Sequence, residues 1–456
     1  MKEYDAVIVG AGLAGLSCGL ELALKGKKVL ILEAHSYVGG RTSSFYDKGM
    51  YVESGMHRFI GYYTALPKLL KKAGVKTSDI VTWEDKVDIL IKNENKKAVI
   101  GIAPLRGFIK TIRGIVGNRD VFTWKDKLSL VPFFIMGFFQ YYFQQDKLDQ
   151  LSVKEYAEKY RVSERSLNVL LESLSAGIFF VPPDQYSAYA FFGLFAPAIP
   201  KFYKMSIGAF LGGMTEVMCE PIAEKIRSLG GTIILEKTVK EVLMENNRVK
   251  GVITEEGEEF RGEAVVIATT IIAAKKILKS FEKDPSFQDF FSLPTMPSVT
   301  LQIELDQPAL EKDITTFGPM TALKSFAEQS RTTFRDSKGR LSIILGHPES
   351  FLEKTPEETL EIVLKDAESL GLHFREHIKA YRKINHGHDF HTLEKGYQHL
   401  RPYQTTAVKG LYLAGDYTRT PYFSTMEGAV VSGERAAKAL LKNELRQGME
   451  HQRSKG

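Results

Sequence analysis

Two cysteines in 456 residues, Cys18 and Cys219, are all the chain has. Neither belongs to a C-x-x-C pair, so no zinc site and no redox dithiol is encoded, and a disulfide framework is excluded. Cys18 falls in the first helical stretch and reads as a structural thiol. Scarce cysteine fits a reducing compartment. The first strand begins within a few residues of Met1, which leaves no room for a signal or transit peptide, so the expected location is cytoplasmic. Nucleic-acid motifs are absent, and a net charge of +6 is modest for this length. Internal repeats and low-complexity tracts are absent too. What remains is a chain long enough for two or three domains, with the 44% hydrophobic and 25% charged balance of a soluble globular protein.

The informative stretch is Val7 to Glu33. Val7–Val9 is a short apolar run of strand character. It ends in Gly10-Ala11-Gly12-Leu13-Ala14-Gly15, a G-x-G-x-x-G loop. Apolar and small residues then recur at helical spacing from Leu13 to Leu24, and a second apolar strand, Val29–Leu32, ends in Glu33. This βαβ pattern suits a dinucleotide. Gly10 permits the tight turn, Gly12 lets backbone approach a pyrophosphate, and Gly15 lets the helix pack close to the sheet. The helix N-terminus offers N–H groups to phosphate. Glu33 stands where a carboxylate accepts hydrogen bonds from ribose hydroxyls.

Further along, Tyr62–Gly74, Val153–Tyr160, Ser163–Ser175, Thr215–Leu229, Glu357–Leu370 and Met426–Leu441 read as helices. Strand character appears at 80–91, 233–235, 239–244, 249–254, 264–268, 299–305, 341–345 and 411–414. The polar residues after Leu441 are expected to fray. Three more features join the first one to make a case for a flavin. Gly39-Gly40-Arg41 combines small residues with a cation able to pair with phosphate. Ile267-Ala268-Thr269 is a small-residue turn after a meander. Leu413-Ala414-Gly415-Asp416 precedes Thr425-Met426-Glu427-Gly428-Ala429, where a final helix begins and can turn its N-terminal dipole toward the flavin ring.

On these motifs the chain resembles the flavin-containing amine oxidoreductase superfamily. Within it, the chain is most similar to plant-type phytoene desaturases and bacterial squalene-pathway flavoenzymes. The likeness is strongest at Val7–Thr42, Glu53–Gly61, Lys204–Ile226 and Gly410–Gly433. It implies an α/β fold: a Rossmann-like FAD-binding domain, an inserted mixed α+β substrate domain and a helical membrane-facing portion. The implied FAD-binding segments are 1–62, 205–272 and 400–445. The substrate domain with its helical cap takes 63–204 and 273–399, and 446–456 is a polar tail. By family position the flavin meets Gly10, Gly12, Ala14, Gly15, Glu33, Ala34, Gly40, Arg41 and Thr42. It also meets Gly55, Met56, His57, Val239, Ala268, Thr269, Gly415, Asp416, Met426 and Ala429. Non-covalent FAD is implied, because covalently flavinylated members carry a late cysteine and Cys219 is the last one here. The implied reaction is desaturation of a lipophilic isoprenoid, with quinone or oxygen as electron acceptor. Amine oxidation and protoporphyrinogen oxidation are the alternatives. One departure stands out: plant-type desaturases carry a basic residue shortly before the match to Lys204-Met205, whereas Asp184–Pro200 has no Lys or Arg.

Other residues leave two readings open. His57 sits beside the flavin ring or is a satisfied loop histidine. Tyr397, Tyr417 and Tyr422 line a channel or, more simply, pack in a core. His386, His388 and His391 lack partner carboxylates for a metal, which favours a solvated loop. The run 128–145 has no charge and seven aromatics, and its unbroken apolar part is well short of the roughly 20 residues a membrane span needs. Just before it, Arg106, Lys110, Arg113, Arg119, Lys125 and Lys127 outnumber Asp120 and Asp126. Basic and aromatic segments side by side suit peripheral contact with the anionic inner face of a membrane.

Overall fold

The computed structural model describes residues 3–84, 86–101, 117–204 and 206–453. Its architecture is α/β, with two large sheets. In the first sheet, β1 (Tyr4–Val9) and β2 (Val29–Leu32) run parallel, with Val7 opposite Leu30. The helix Leu13–Ala23 joins them. Later segments complete the sheet. β3 (Thr232–Ile234) adds outside β2. β4 (Val239–Glu245), β5 (Arg248–Thr254) and β6 (Glu259–Ile267) form an antiparallel meander. β6 then runs on beyond the meander, pairs in parallel with β1 and takes β7 (Leu411–Leu413) on its other side. Every residue of β2 and β7 is buried. A strand covered on both faces shows no polar alternation, and so these runs read as continuous apolar sequence.

The last helix, Met426–Arg453, lies against the first. Ser17 Oγ donates to the Val430 carbonyl at 2.9 Å. A Cβ on Gly433 would overlap the Ala14 carbonyl oxygen, so the two helices meet backbone to backbone. A Cβ on Gly15 would likewise overlap the Gly10 carbonyl oxygen. The last helix also caps another one. The Glu427 carboxylate accepts from the backbone N–H of Thr64, Ala65 and Leu66 at 2.6, 2.7 and 2.9 Å, at the start of the helix Ala65–Lys72. An acid at that position satisfies orphan donors and opposes the helix dipole.

The second sheet is mostly antiparallel. Ile378–His391, Thr295–Leu305, Gly339–Leu345 and Leu323–Glu328 lie side by side, followed by Thr316–Phe317, Lys86–Ile91 and Lys96–Gly101. Beside it is a helical layer. Its helix Trp124–Phe143 starts at a capping box, in which Thr123 and Asp126 bond each other's backbone N–H. Phe133 on this helix packs on Tyr156, Phe191 and Phe192, and all four are buried.

Two expectations change. Residues after Leu441 do not fray but continue the last helix to Arg453. Asn443 donates to the Tyr412 hydroxyl at 2.9 Å, and Glu444 pairs with Lys27 at 2.8 Å, which ties this stretch to the body. His386, His388 and His391 lie on a strand, not in a solvated loop. Pairing with Thr295–Leu305 sets His391 opposite Thr295 and buries it completely.

Candidate functional site

A groove of about 510 Å³ runs along the C-terminal ends of β1, β2 and β6. In a sheet of this topology that is where ligands collect. The first helix points its N-terminus at it. Gly12 precedes that helix in extended conformation, no side chain caps it, and no acid sits in the first turn, so its N–H groups remain for ligand oxygens. A Cβ added to Gly12 would have only the Gly39 carbonyl oxygen near it, at 3.9 Å. The space in front of Gly12 is therefore open, and it is a cradle that a side chain would fill. At one side, Glu33 accepts from the backbone N–H of Ala11 at 2.7 Å and of His35 at 3.0 Å, which fixes the carboxylate at the groove wall.

The groove's charges are paired. Arg41 Nη2 donates to Asp416 Oδ1 at 2.5 Å, and its guanidinium stacks on the Phe390 ring at 4.3 Å. Burial pushes the Asp416 carboxyl up, but Arg41 and the other positive neighbours, Arg401 among them, together hold the group below the usual carboxylate range. His386 Nε2 donates to the Ser54 carbonyl at 2.7 Å, and its Nδ1 lies 3.4 Å from Asp389 Oδ2. Burial would also raise Asp389, and His386 and Arg41 keep it low instead.

A second space, about 680 Å³, meets the groove at His57, Ser424, Thr425 and Met426. Its walls are mainly Ile, Leu, Val and Phe side chains from the helical layer and the second sheet. Arg58 also lines it, but this guanidinium is committed: Nε lies 2.9 Å from Glu84 and Nη2 2.7 Å from Asp313. Among the described residues, no Asp or Glu lines this cavity.

Gly10, Gly12, Ala14, Glu33, Ala34, Gly40, Arg41 and Thr42 line the groove, and so do Val239, Ala268, Thr269, Gly415, Asp416, Met426 and Ala429. His57 lines both spaces. Three residues chosen from the sequence sit elsewhere. Gly15 lies beneath the loop against Gly10, Gly55 lies behind the His57 ring, and Met56 lines the apolar cavity. Tyr397, Tyr417 and Tyr422 line neither space, and Tyr417 packs on Phe290 in the core. Sequence reasoning missed His386, Asp389 and Phe390 in the groove and Arg58 in the cavity. Arg58 carried a visible signal, a cation inside an otherwise small and apolar loop.

The groove at the sheet end thus opens onto an apolar cavity. The family model for flavin containing amine oxidoreductase matches residues 13–441, and the chain belongs to that family. It is a flavin-dependent oxidoreductase. It is 29% identical to the 15-cis-phytoene desaturase of Arabidopsis thaliana, over 97% of this chain and 81% of that one. Identity to the 15-cis-phytoene desaturase of Synechococcus elongatus is 27%, over 95% of each chain. The zeta-carotene desaturase of a Synechocystis strain is 26% identical, over 96% of this chain and 97% of that one. Among solved structures, an oxidoreductase from Methanosarcina mazei superposes with a TM-score of 0.73 at 17% identity, covering 94% of this chain and 98% of that one. Putrescine oxidase bound to putrescine gives a TM-score of 0.72 at 16% identity, over 97% and 99%. At such identities these structures share the fold.

Buried titratable groups around the site give a pH signature. Burial lowers the ring pKa of His57 to about 4 and of His391 to about 3. In the unfolded chain both titrate near about 6.5. Below that value the unfolded chain binds protons that the folded chain refuses, so stability falls as pH drops from 6.5 toward 4. Glu53 acts at the other end. Burial raises its carboxyl to about 8, so the stability it contributes is present below the ordinary carboxylate range and is lost as pH rises through 8. Thermal melts of wild type and Glu53→Gln at pH 6 and pH 8.5 measure this. The variant should lose less melting temperature between the two; equal losses would show that Glu53 does not drive the alkaline decline.

Proposed function

We propose that the protein dehydrogenates a lipophilic, isoprenoid-like substrate with non-covalent FAD. The observation that carries this reading is the apolar cavity meeting the dinucleotide groove at His57, Thr425 and Met426. In the proposed division, 1–62, 205–272 and 400–445 hold the FAD, and 63–204 with 273–399 form the inserted substrate domain. The strand Ile378–His391 lends its end to the groove. The helix behind Gly12 would hold the pyrophosphate, Glu33 the ribose, and Asp416 with Arg41 the polar chain between the rings. Among the described residues no cysteine lines the groove, which favours a cofactor held without a covalent bond. When bound, FAD supplies a two-electron acceptor. The chain's own contribution is to orient the substrate and exclude water, and the apolar walls do both.

The relatives named phytoene desaturase support an isoprenoid. An amine is a poorer fit, because among the described residues no carboxylate lines the cavity to receive an ammonium group. Anaerobic flavin reduction against isoprenoids, amines and porphyrinogens tests this. Bleaching by an isoprenoid is the expected outcome, and bleaching by amines alone would overturn it. The FAD assignment has a separate check. A side chain at Gly12 meets open space, so Gly12→Val should fold with an unchanged circular dichroism spectrum yet purify without yellow colour. Full FAD in that variant would remove the groove as the cofactor site.

The same reading makes the helix Trp124–Phe143 a membrane contact. One stripe, Phe133, Gly137 and Tyr141, is buried. The opposite stripe presents Leu128 at 63%, Ile135 at 63% and Phe143 at 72% exposure, along with Trp124, Val131, Phe139 and Tyr142. Val131 and Ile135 also line the cavity, so the exposed stripe borders the way in. Among the described residues no helix is long and apolar enough to cross a membrane. A helix of this kind can instead lie at the headgroup boundary. Arg106, Lys110 and Arg113 of the expected basic segment fall outside the described residues. Sedimentation with anionic liposomes is the test. Wild type should pellet, while Leu128→Ser/Phe139→Ser/Phe143→Ser, which leaves the cavity lining untouched, should stay in the supernatant. Equal pelleting would remove this helix as the contact.

A further inference from the structure

The two nitrogens of the His57 ring are not equivalent. Nδ1 lies 3.1 Å from the Gly55 carbonyl oxygen. A carbonyl only accepts, so Nδ1 carries the proton and donates. Burial keeps the ring neutral at physiological pH, and the nearby charges of His386 and Arg41 act in the same direction. Nε2 is then a bare lone pair. It has no hydrogen-bond partner among the described residues, and packing does not seal it.

Its surroundings make this atom unusual. Several other polar groups on the cavity wall are already engaged, and the Ser325 and Ser424 hydroxyls, which have no hydrogen-bond partner among the described residues, are far weaker bases than an imidazole. Arg58 is held by Glu84 and Asp313, the Tyr62 hydroxyl donates to the Leu194 carbonyl at 2.6 Å, and Thr315 Oγ1 donates to Glu84 at 3.1 Å. Among the described residues lining the cavity, His57 is the only imidazole and there is no carboxylate. A base therefore stands where the apolar space opens onto the groove.

We infer that His57 Nε2 is the proton acceptor of the dehydrogenation. One substrate carbon gives up hydrogen with both bonding electrons to FAD. The adjoining carbon gives its hydrogen as a proton to Nε2, and the electron pair it leaves behind becomes the new C=C bond. This inference rests on the dehydrogenase reading above. A weak base is adequate here, because loss of hydride makes the adjoining C–H strongly acidic. A ring of ordinary pKa would be partly protonated near neutrality, and this one is not. The charged groups around it do not take its place. Arg41 is paired with Asp416, and His386 is turned to Ser54 and Asp389. The positive charge of Arg41 would disfavour a lasting imidazolium and so help return the proton to solvent.

Two measurements on the FAD-loaded protein test this. The first is nitrogen NMR of the ten histidines. The His57 signal, assigned by its loss in His57→Phe, should report a proton on Nδ1 and no titration between about pH 8 and pH 5. A proton on Nε2, or an ordinary titration, overturns the assignment whatever the activity. The second is the rate of anaerobic flavin reduction by 15-cis-phytoene and the rest of the isoprenoid panel, at saturating substrate. His57→Gln keeps bulk and polarity but lacks a basic nitrogen. It should retain its flavin spectrum and substrate KM yet reduce about a hundredfold or more slowly. A wild-type rate in His57→Gln overturns the proposal and leaves the dehydrogenase reading standing. If no isoprenoid reduces the wild-type flavin, the dehydrogenase reading falls and this assignment falls with it.

Discussion

Everything at the groove depends on one close approach. The first helix must touch the loop before it at Gly15 and the last helix beside it at Gly433, backbone against backbone. Gly15 and Gly433 make both contacts possible. The approach fixes where the uncapped helix N-terminus points, and that direction is what turns a sheet end into a site for an anion. Met426 begins the last helix, and Asp416 follows β7, which pairs with β6 and is tied to the last helix where the Gly415 N–H donates to Ser432 Oγ at 2.8 Å.

Charge and apolar surface are kept apart on either side of His57 and Met426. On the groove side Arg41 is paired with Asp416, and the Glu33 carboxylate is held by two backbone N–H groups. Such groups tolerate a polar ligand, because they can share their hydrogen bonds with it. On the other side the one guanidinium is neutralised by two carboxylates behind the wall. A hydrocarbon entering that side leaves the Arg58 charge with its partners. The arrangement suits a reaction in which a greasy molecule must lie against a polar cofactor without bringing solvent along.

The parts of this design that were legible in the sequence are those whose signal is local. Val7 to Glu33 declares strand, turn, helix and strand within thirty residues, and the turn after β7 is equally compact. The rest depends on long-range pairing. Nothing near His386, Asp389 or Phe390 announces a groove; they reach it because their strand pairs with Thr295–Leu305, about ninety residues away in the chain. The same pairing places a set of histidines with the look of a loop on a strand, whose end buries His391. The start of the aromatic helix was hidden for a different reason. Thr123 and Asp126 read as part of a charged stretch, whereas together they form its cap. Continuation of the last helix past Leu441 depends on Tyr412 and Lys27, which no local pattern could supply.

The Glu427 cap bears on the order in which this protein can be made. The helix Ala65–Lys72 leaves the ribosome early, but the carboxylate that satisfies its first turn belongs to a residue translated more than 350 positions later. Gly433, which completes the seat of the first helix, comes later still. A nascent chain therefore carries its most recognisable motif for most of its synthesis without the partners that hold it in shape. Domains of many proteins fold as they emerge. Here the first segment has to wait for the last, and a ribosome stalled before residue 427 would present an exposed, half-built nucleotide fold to chaperones and proteases.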